Sequence, residues 1–112
     1  ELKDTGRYQE ALMCYSDIMD LLVKEANDYA RKQEGSHTDI GKIRAINTSF
    51  FEESRKFLKQ DMTAAIISNN MGSLYVRLGD FENARKMFED SIDLTPDGEE
   101  YNDPKIGLEE LL

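Results

Sequence analysis

The chain has 112 residues, of which 39% are hydrophobic and 33% charged, a balance typical of one soluble folded domain rather than a disordered segment. Its net charge of −9 repels phosphate, which argues against nucleic acid and against an anionic membrane surface as partners. No apolar run reaches the length of a membrane span. The single cysteine cannot form an intramolecular disulfide, so the cytoplasm is the expected compartment.

The N-terminal part of the chain predicts one long helix. From Tyr8 to Gln33 there is neither proline nor glycine to end it. Gly6 is expected to separate this helix from the end of a preceding one. Its apolar stripe would need cover, either from the middle of the chain or from self-association. The stripe consists of Tyr8, Ala11, Tyr15, Ile18 and Leu22.

The middle of the chain is less regular. A polar stretch over Gly35–Thr38 predicts a loop, which contains His37, the only histidine. Residues Asp39–Gln60 read as helical, either as one helix or as two with a break near Asn47. Capping-box spacing in Ser49-Phe50-Phe51-Glu52 favours two helices. An apolar stripe that crosses the proposed break favours one helix, and we prefer that interpretation slightly.

Two further helices are predicted near the C-terminus, joined by a very short turn at Gly79-Asp80. Each carries apolar residues at helical spacing, so the two are expected to pack as an antiparallel pair. The second helix should end at the turn Thr95–Gly98. The stripe of the first helix is Ile67, Met71, Leu74 and Leu78, and that of the second is Phe81, Ala84, Phe88 and Ile92.

A short closing helix over residues 103–112 is predicted by Asp103-Pro104, with aspartate as N-cap and proline in the first turn. It would be either a capping element or the beginning of another helical unit. The chain also repeats itself, because Gly6–Leu21 aligns with Gly79–Leu94 at five identical positions of sixteen. Such internal similarity is typical of a repeat array.

The C-terminal helix pair carries small residues, aromatic residues and a closing proline at fixed spacing, among them Gly72, Gly79, Ala84, Phe88 and Pro96. On these residues the pair resembles the tetratricopeptide repeat (TPR) family. With Ala65 as the first position, every place of the repeat consensus is filled through Pro96, and the start of the unit also resembles the repeats of kinesin light chains and related adaptors. The residues that carry the resemblance are Asn70, Gly72, Tyr75, Gly79, Phe81, Ala84, Phe88, Ser91 and Pro96.

The resemblance implies an all-α fold, a TPR-like fragment of a solenoid built from antiparallel helix pairs, with about five helices and an irregular middle. We expect a single domain over residues 1–112. Within it we expect a half repeat over 1–25, an irregular helical segment over 26–62, a complete repeat over 65–98 and the closing helix over 103–112.

The resemblance also implies the function, a protein–protein interaction scaffold or adaptor that binds a peptide or a partner protein through a concave helical face. It assigns that face to Asn69, Asn70, Ser73 and Arg77. An acidic C-terminal third argues against a carboxylate-binding clamp around Asn70. Two alternatives stay open: a regulatory or docking segment of a larger enzyme, and a structural or self-associating solenoid segment.

Catalytic, cofactor and metal sites are not expected. His37 has no cysteine or second histidine at ligand spacing. Cys14 is expected to be a small packing residue, because its only candidate base is distant in sequence. Adjacent carboxylate pairs such as Glu52-Glu53 point about 100° apart on a helix and do not make an acid/base pair. The chain is therefore not expected to be an enzyme.

Overall fold

The fold is all-α, as the sequence predicts. A computed structural model of the chain describes residues 2–34 and 51–112, and among these no residue lies in a β-strand. The helices are α1 (Leu2–Glu34), α2 (whose described part is 51–58), α3 (Thr63–Arg77), α4 (Phe81–Leu94) and α5 (Asp103–Glu110).

Helix α1 is long, as the lack of helix breakers predicts, but it runs without interruption through Gly6. The expected turn at Gly6 is therefore wrong. At the corresponding turn, Gly79 adopts a φ of 78° and the next residue, Asp80, caps the following helix. Arg7 stands in the place of Asp80, and a guanidinium has no acceptor to offer to helix N–H groups. Nothing at Gly6 therefore stops the helix.

The apolar stripe of α1 is covered in part by α3. The hydroxyls of Tyr8 and Tyr15 accept hydrogen bonds from Arg77 and Asn70 of α3. The pairs 8–77 and 15–70 show that the two helices run antiparallel. Ile18 keeps 45% of its surface exposed, so the cover is incomplete.

The C-terminal end of α1 lies against α2. The Ser54 hydroxyl donates to Asn27 Oδ1 at 3.1 Å, and the rings of Tyr29 and Phe57 have their centres 5.6 Å apart. Helix α1 thus contacts α3 with its N-terminal half and α2 with its other end. The predicted loop at Gly35–Thr38, which contains His37, lies outside the described residues. The prediction of one helix or two over 39–60 also falls partly outside them.

Helices α3 and α4 form the predicted antiparallel hairpin. Gly79 supplies the left-handed conformation that ends α3. The Asp80 carboxylate then accepts the backbone N–H of Asn83 at 3.2 Å and caps α4. Across the pair, the buried Ser91 hydroxyl donates to the carbonyl oxygen of Ala65 at 2.6 Å. This bond joins the end of α4 to the beginning of α3 and fixes their register.

The hairpin core is made of small residues around one aromatic ring. Ala65 and Ala84 are fully buried and Phe88 is 2% exposed. Small side chains let the two helix backbones approach closely, and the ring fills the space that remains. Phe81, predicted to belong to the same stripe, is 56% exposed; it opens α4 at the edge of the hairpin.

Helix α5 follows the predicted turn, in which Gly98 adopts a φ of 86°. Its N-cap position is Asn102 rather than the expected Asp103, and no side chain caps it. Pro104, in the first turn, is fully buried. Helix α5 packs on both α3 and α4 and so stands beside the hairpin as a third helix.

Candidate functional site

A single ring sets how α3 and α5 stand next to α4. A Cβ atom added to Gly72 of α3 would lie 2.6 Å from Phe88 Cε1, and one added to Gly107 of α5 would lie 2.6 Å from Phe88 Cζ. Both distances are far below van der Waals contact. Glycine at each position therefore lets a helix backbone rest directly on the ring. Gly107 has the same relation to Phe88 in α5 that Gly72 has in α3.

Between α3 and α5 this packing leaves an open groove of about 400 Å³, a size common for ligand sites. Its floor is Phe88, its α3 wall is mostly polar, and its α5 wall alternates acidic and apolar side chains. The lining residues are Asn69, Ser73, Val76, Arg77, Phe88, Asp103, Ile106, Gly107 and Glu110.

Asn69 is the most constrained polar residue of this groove. Its side chain is buried, with 7% of the residue exposed, and its Oδ1 atom has no hydrogen-bond partner. A buried amide oxygen without a partner costs about 1–3 kcal/mol. No other buried side-chain nitrogen or oxygen atom of the described residues stands in this state. The groove thus holds one acceptor that lacks a donor.

The other end of the Asn69 amide is engaged with Tyr101, in the loop before α5. Burial raises the pKa of the Tyr101 hydroxyl, the negative charge of Asp103 raises it further, and a hydrogen bond from the Asn69 side chain opposes both. The Asn69 side chain is therefore close to the loop before α5 as well as to the groove.

The charges of the groove are mostly negative. Asp103 and Glu110 bring carboxylates from α5, and Arg77 brings one guanidinium from α3. The Arg77 guanidinium carbon also lies 5.5 Å from the centre of the Tyr8 ring, and its Nη1 donates to the Tyr8 hydroxyl at 3.4 Å. The cation is therefore held at the α1 end of the groove.

The structure separates the four residues assigned to the binding face. Asn69, Ser73 and Arg77 line the groove together, since they are four residues apart along α3. Asn70 does not line it. Its Nδ2 donates to the Tyr15 hydroxyl of α1 at 3.5 Å, in a half-buried contact. Asn70 thus contributes to the packing of α1 on α3.

Sequence reasoning missed the α5 side of the groove. Asp103, Ile106 and Glu110 were attributed only to a closing helix, so no role was expected of them. A signal was present, because Gly107 follows Gly72 by 35 residues, close to the length of one repeat. When the two glycines are aligned, α5 corresponds to α3 of the next repeat unit. The residues of α5 next to Gly107 then line the groove opposite those of α3.

No group of three or more metal-ligating side chains that could hold an ion occurs among the described residues. None of the helices within 2–34 and 51–112 has the combined length and apolar character needed to cross a bilayer.

Comparison with known proteins yields one match. Residues 61–97 match the tetratricopeptide repeat family model, a segment that contains α3, its turn and α4. No curated protein and no solved structure shows a significant similarity to the chain. The matched segment overlaps the repeat expected at 65–98, and its hairpin, glycine turn and glycine–aromatic contact are those expected of the family. The chain therefore carries a tetratricopeptide repeat, as its sequence predicts.

Proposed function

We propose that this chain is an interaction module that binds a segment of another protein in the groove between α3 and α5. Tetratricopeptide repeats generally mediate protein–protein interaction, and they are not catalytic. The observation that carries the proposal is the buried, unpaired Oδ1 of Asn69. Natural structures rarely leave such an atom without a partner in the protein or in ordered water, and a donor from a bound segment would supply one.

The chemistry of the groove favours a partner segment rich in donors and poor in acids. A backbone N–H or a lysine or arginine side chain can donate to Asn69, whereas a carboxylate cannot. Asp103 and Glu110 add negative potential at the α5 wall. Ile106, which is 50% exposed, offers an apolar contact next to them. We propose that the chain acts in this way as an adaptor or scaffold in the cytoplasm and needs no cofactor.

The test is a selection of random peptides displayed on phage against the immobilised chain, followed by fluorescence anisotropy with the enriched peptides. We expect lysine and arginine to be enriched and aspartate and glutamate to be depleted. Asn69→Leu keeps the shape of the side chain and removes the acceptor, so peptide affinity should fall about tenfold, the effect of one lost hydrogen bond to a charged group.

Asn70→Leu is the matched control, because it makes the same change one residue away on the side that faces α1. Peptide affinity should change little in this variant. Enriched peptides that are acidic, or that bind Asn69→Leu as well as the unaltered chain, would contradict the proposal. Loss of binding in Asn70→Leu alone would move the site to the α1 side of α3.

A further inference from the structure

The outward face of α1 carries a second feature, which is independent of the groove. Six residues follow one another at alternating steps of four and three, the spacing that keeps side chains on a single seam of a helix. The seam begins and ends with a charge and is uncharged between. Its residues are Arg7, Ala11, Cys14, Ile18, Leu21 and Glu25.

No other helix among residues 2–34 and 51–112 covers this seam. Leu21 is 61% exposed and Ile18 is 45% exposed, and Cys14 is exposed. The residues that α3 contacts, Tyr8 and Tyr15, stand one step further around the helix. The seam therefore lies beside the surface that α3 covers and not beneath it.

The charged residues at the two ends of the seam, Arg7 and Glu25, also have no ion-pair partner among the described residues. An isolated helix face could meet many surfaces, but this one is complementary to itself when reversed. If Ala11 of one copy faces Leu21 of another, then Cys14 faces Ile18 and Arg7 faces Glu25.

We propose that the seam is the contact between two copies of this chain, packed antiparallel along α1 about a two-fold axis near residue 16. A two-fold axis makes every contact occur twice, so the interface has two Arg7–Glu25 pairs. Glu10 and Lys24, which flank the seam, also come together between copies in this register. A parallel arrangement would instead place Arg7 beside Arg7 and Glu25 beside Glu25. The charges therefore select the antiparallel direction.

One residue opposes this dimer and gives it a distinctive signature. Asp17 flanks the seam near its midpoint, so the two-fold axis brings it close to its own copy. Like charges that face each other weaken helix pairing. Removal of this charge should therefore strengthen the dimer, whereas removal of an acidic residue on a non-interacting surface would leave the association unchanged.

The first test is sedimentation velocity of the whole chain at low salt, from micromolar to sub-millimolar loading. We expect a reversible monomer–dimer equilibrium. Arg7→Glu and Glu25→Arg should each weaken dimerisation about tenfold, because each turns two attractive pairs into two repulsive ones. The double variant Arg7→Glu/Glu25→Arg should restore the original affinity, and Asp17→Asn should tighten it severalfold.

Asp20→Arg is the matched control. It reverses an acidic charge on α1, as Glu25→Arg does, but on a part of the helix about 140° away from the seam, so the dimer should be unaffected. Circular dichroism of each variant separates loss of dimer from loss of helix. A monomer at every concentration, or single variants that weaken the dimer without rescue in the double variant, would overturn the proposal.

The second test uses Cys14, the only cysteine of the chain. In the proposed register the two copies of Cys14 are separated by about 6 Å along the axis and stand on helices about 8–10 Å apart. A short bis-maleimide should join them into a covalent dimer. Oxidation alone should be less efficient, because this geometry puts the two Cα atoms at about the 7 Å limit for a disulfide. A failure of the bis-maleimide to join the copies at concentrations where the dimer forms would overturn this register.

Discussion

The ring of Phe88 packs directly on the backbone of Gly72 across the α3–α4 hairpin. A Cβ atom added to residue 72 would lie only 2.6 Å from Phe88 Cε1. The ring cannot retreat, because Gly107 presses on it from α5 at the same distance and only 2% of Phe88 is exposed. Gly72→Ala should therefore destabilise the fold by about 1–3 kcal/mol through overpacking, as measured by urea denaturation monitored by circular dichroism.

Gly6→Ala is the control for that change. Gly6 also lies within a helix, but nothing stands within 4 Å of its added Cβ. The substitution should stabilise the chain by up to about 1 kcal/mol, the difference in helix propensity between the two residues. Equal effects of Gly6→Ala and Gly72→Ala would show that the contact with Phe88 does not restrict residue 72.

Asn69→Leu should raise the stability of the chain while it reduces peptide binding. The substitution removes a buried oxygen without a partner, whose desolvation is uncompensated, and should stabilise by about 1 kcal/mol. Asn69→Asp should have the opposite effect, because it places a charge at a position with 7% exposure. Thermal denaturation of the unaltered chain, Asn69→Leu and Asn69→Asp measures the order of their stabilities. A less stable Asn69→Leu would mean either that the oxygen is satisfied in the unliganded chain or that the lost hydrogen bond to Tyr101 outweighs the gain.

Arg77 and Tyr8 should be coupled in energy, because the guanidinium lies over the ring at 5.5 Å. A double-mutant cycle of Arg77→Gln and Tyr8→Leu, measured by chemical denaturation, should give a coupling of about 0.5 kcal/mol, the value of an exposed cation–π contact. Tyr8→Phe keeps the ring and should retain most of it. Strictly additive effects in the cycle would show that α1 docks on α3 without this contact.

Stability should depend on pH through Asp90. Burial raises the pKa of this carboxyl above its ordinary value of 3.8, the neighbouring charges of Asp93 and Glu89 raise it further, and Lys86 opposes them. The folded chain then binds more protons than the unfolded chain between the two pKa values. This contribution is fully present below pH 3.8 and is lost as the pH rises through the folded pKa.

Asp90→Asn should therefore be more stable than the unaltered chain at neutral pH, with a difference that shrinks as the solution is acidified. Denaturation curves across the acidic range measure this. Asp20→Asn is the control, because Asp20 is an exposed carboxylate on α1 and is not among the charges that shift the pKa of Asp90. A constant difference between Asp90→Asn and the unaltered chain at all pH values would exclude the titration of Asp90 as its cause.

The α3–α4 hairpin could be predicted closely from sequence, because its decisive residues act locally. Gly79 ends one helix and Asp80 caps the next. The turn predicted at Gly6 was wrong because the local residues differ there. Gly79 is followed by Asp80, which satisfies the new helix start, whereas Arg7 after Gly6 has no acceptor to offer. The alignment of Gly6 with Gly79 compares the glycines alone and takes no account of the residue that must cap the next helix.

The groove was half predictable. Asn69, Ser73 and Arg77 share one side of α3 by helical spacing alone, and that face could be read from the repeat. The contact of Asn70 with Tyr15 could not be read from α3 alone, because it depends on the docking of α1, 55 residues away in sequence. The residues of α5 were overlooked, since a short helix read by itself shows no sign of what it will face.

The ring of Phe88 has a consequence for how such a site would change over evolution. It belongs to neither helix that carries the polar groups of the groove, yet both of those helices rest on it through a glycine. A smaller side chain at residue 88 would let α3 and α5 move closer, and a larger one would spread them, without any change in the residues that touch the ligand. Specificity for the thickness of a bound segment is thus separable from specificity for its charge, and each can be altered without the other.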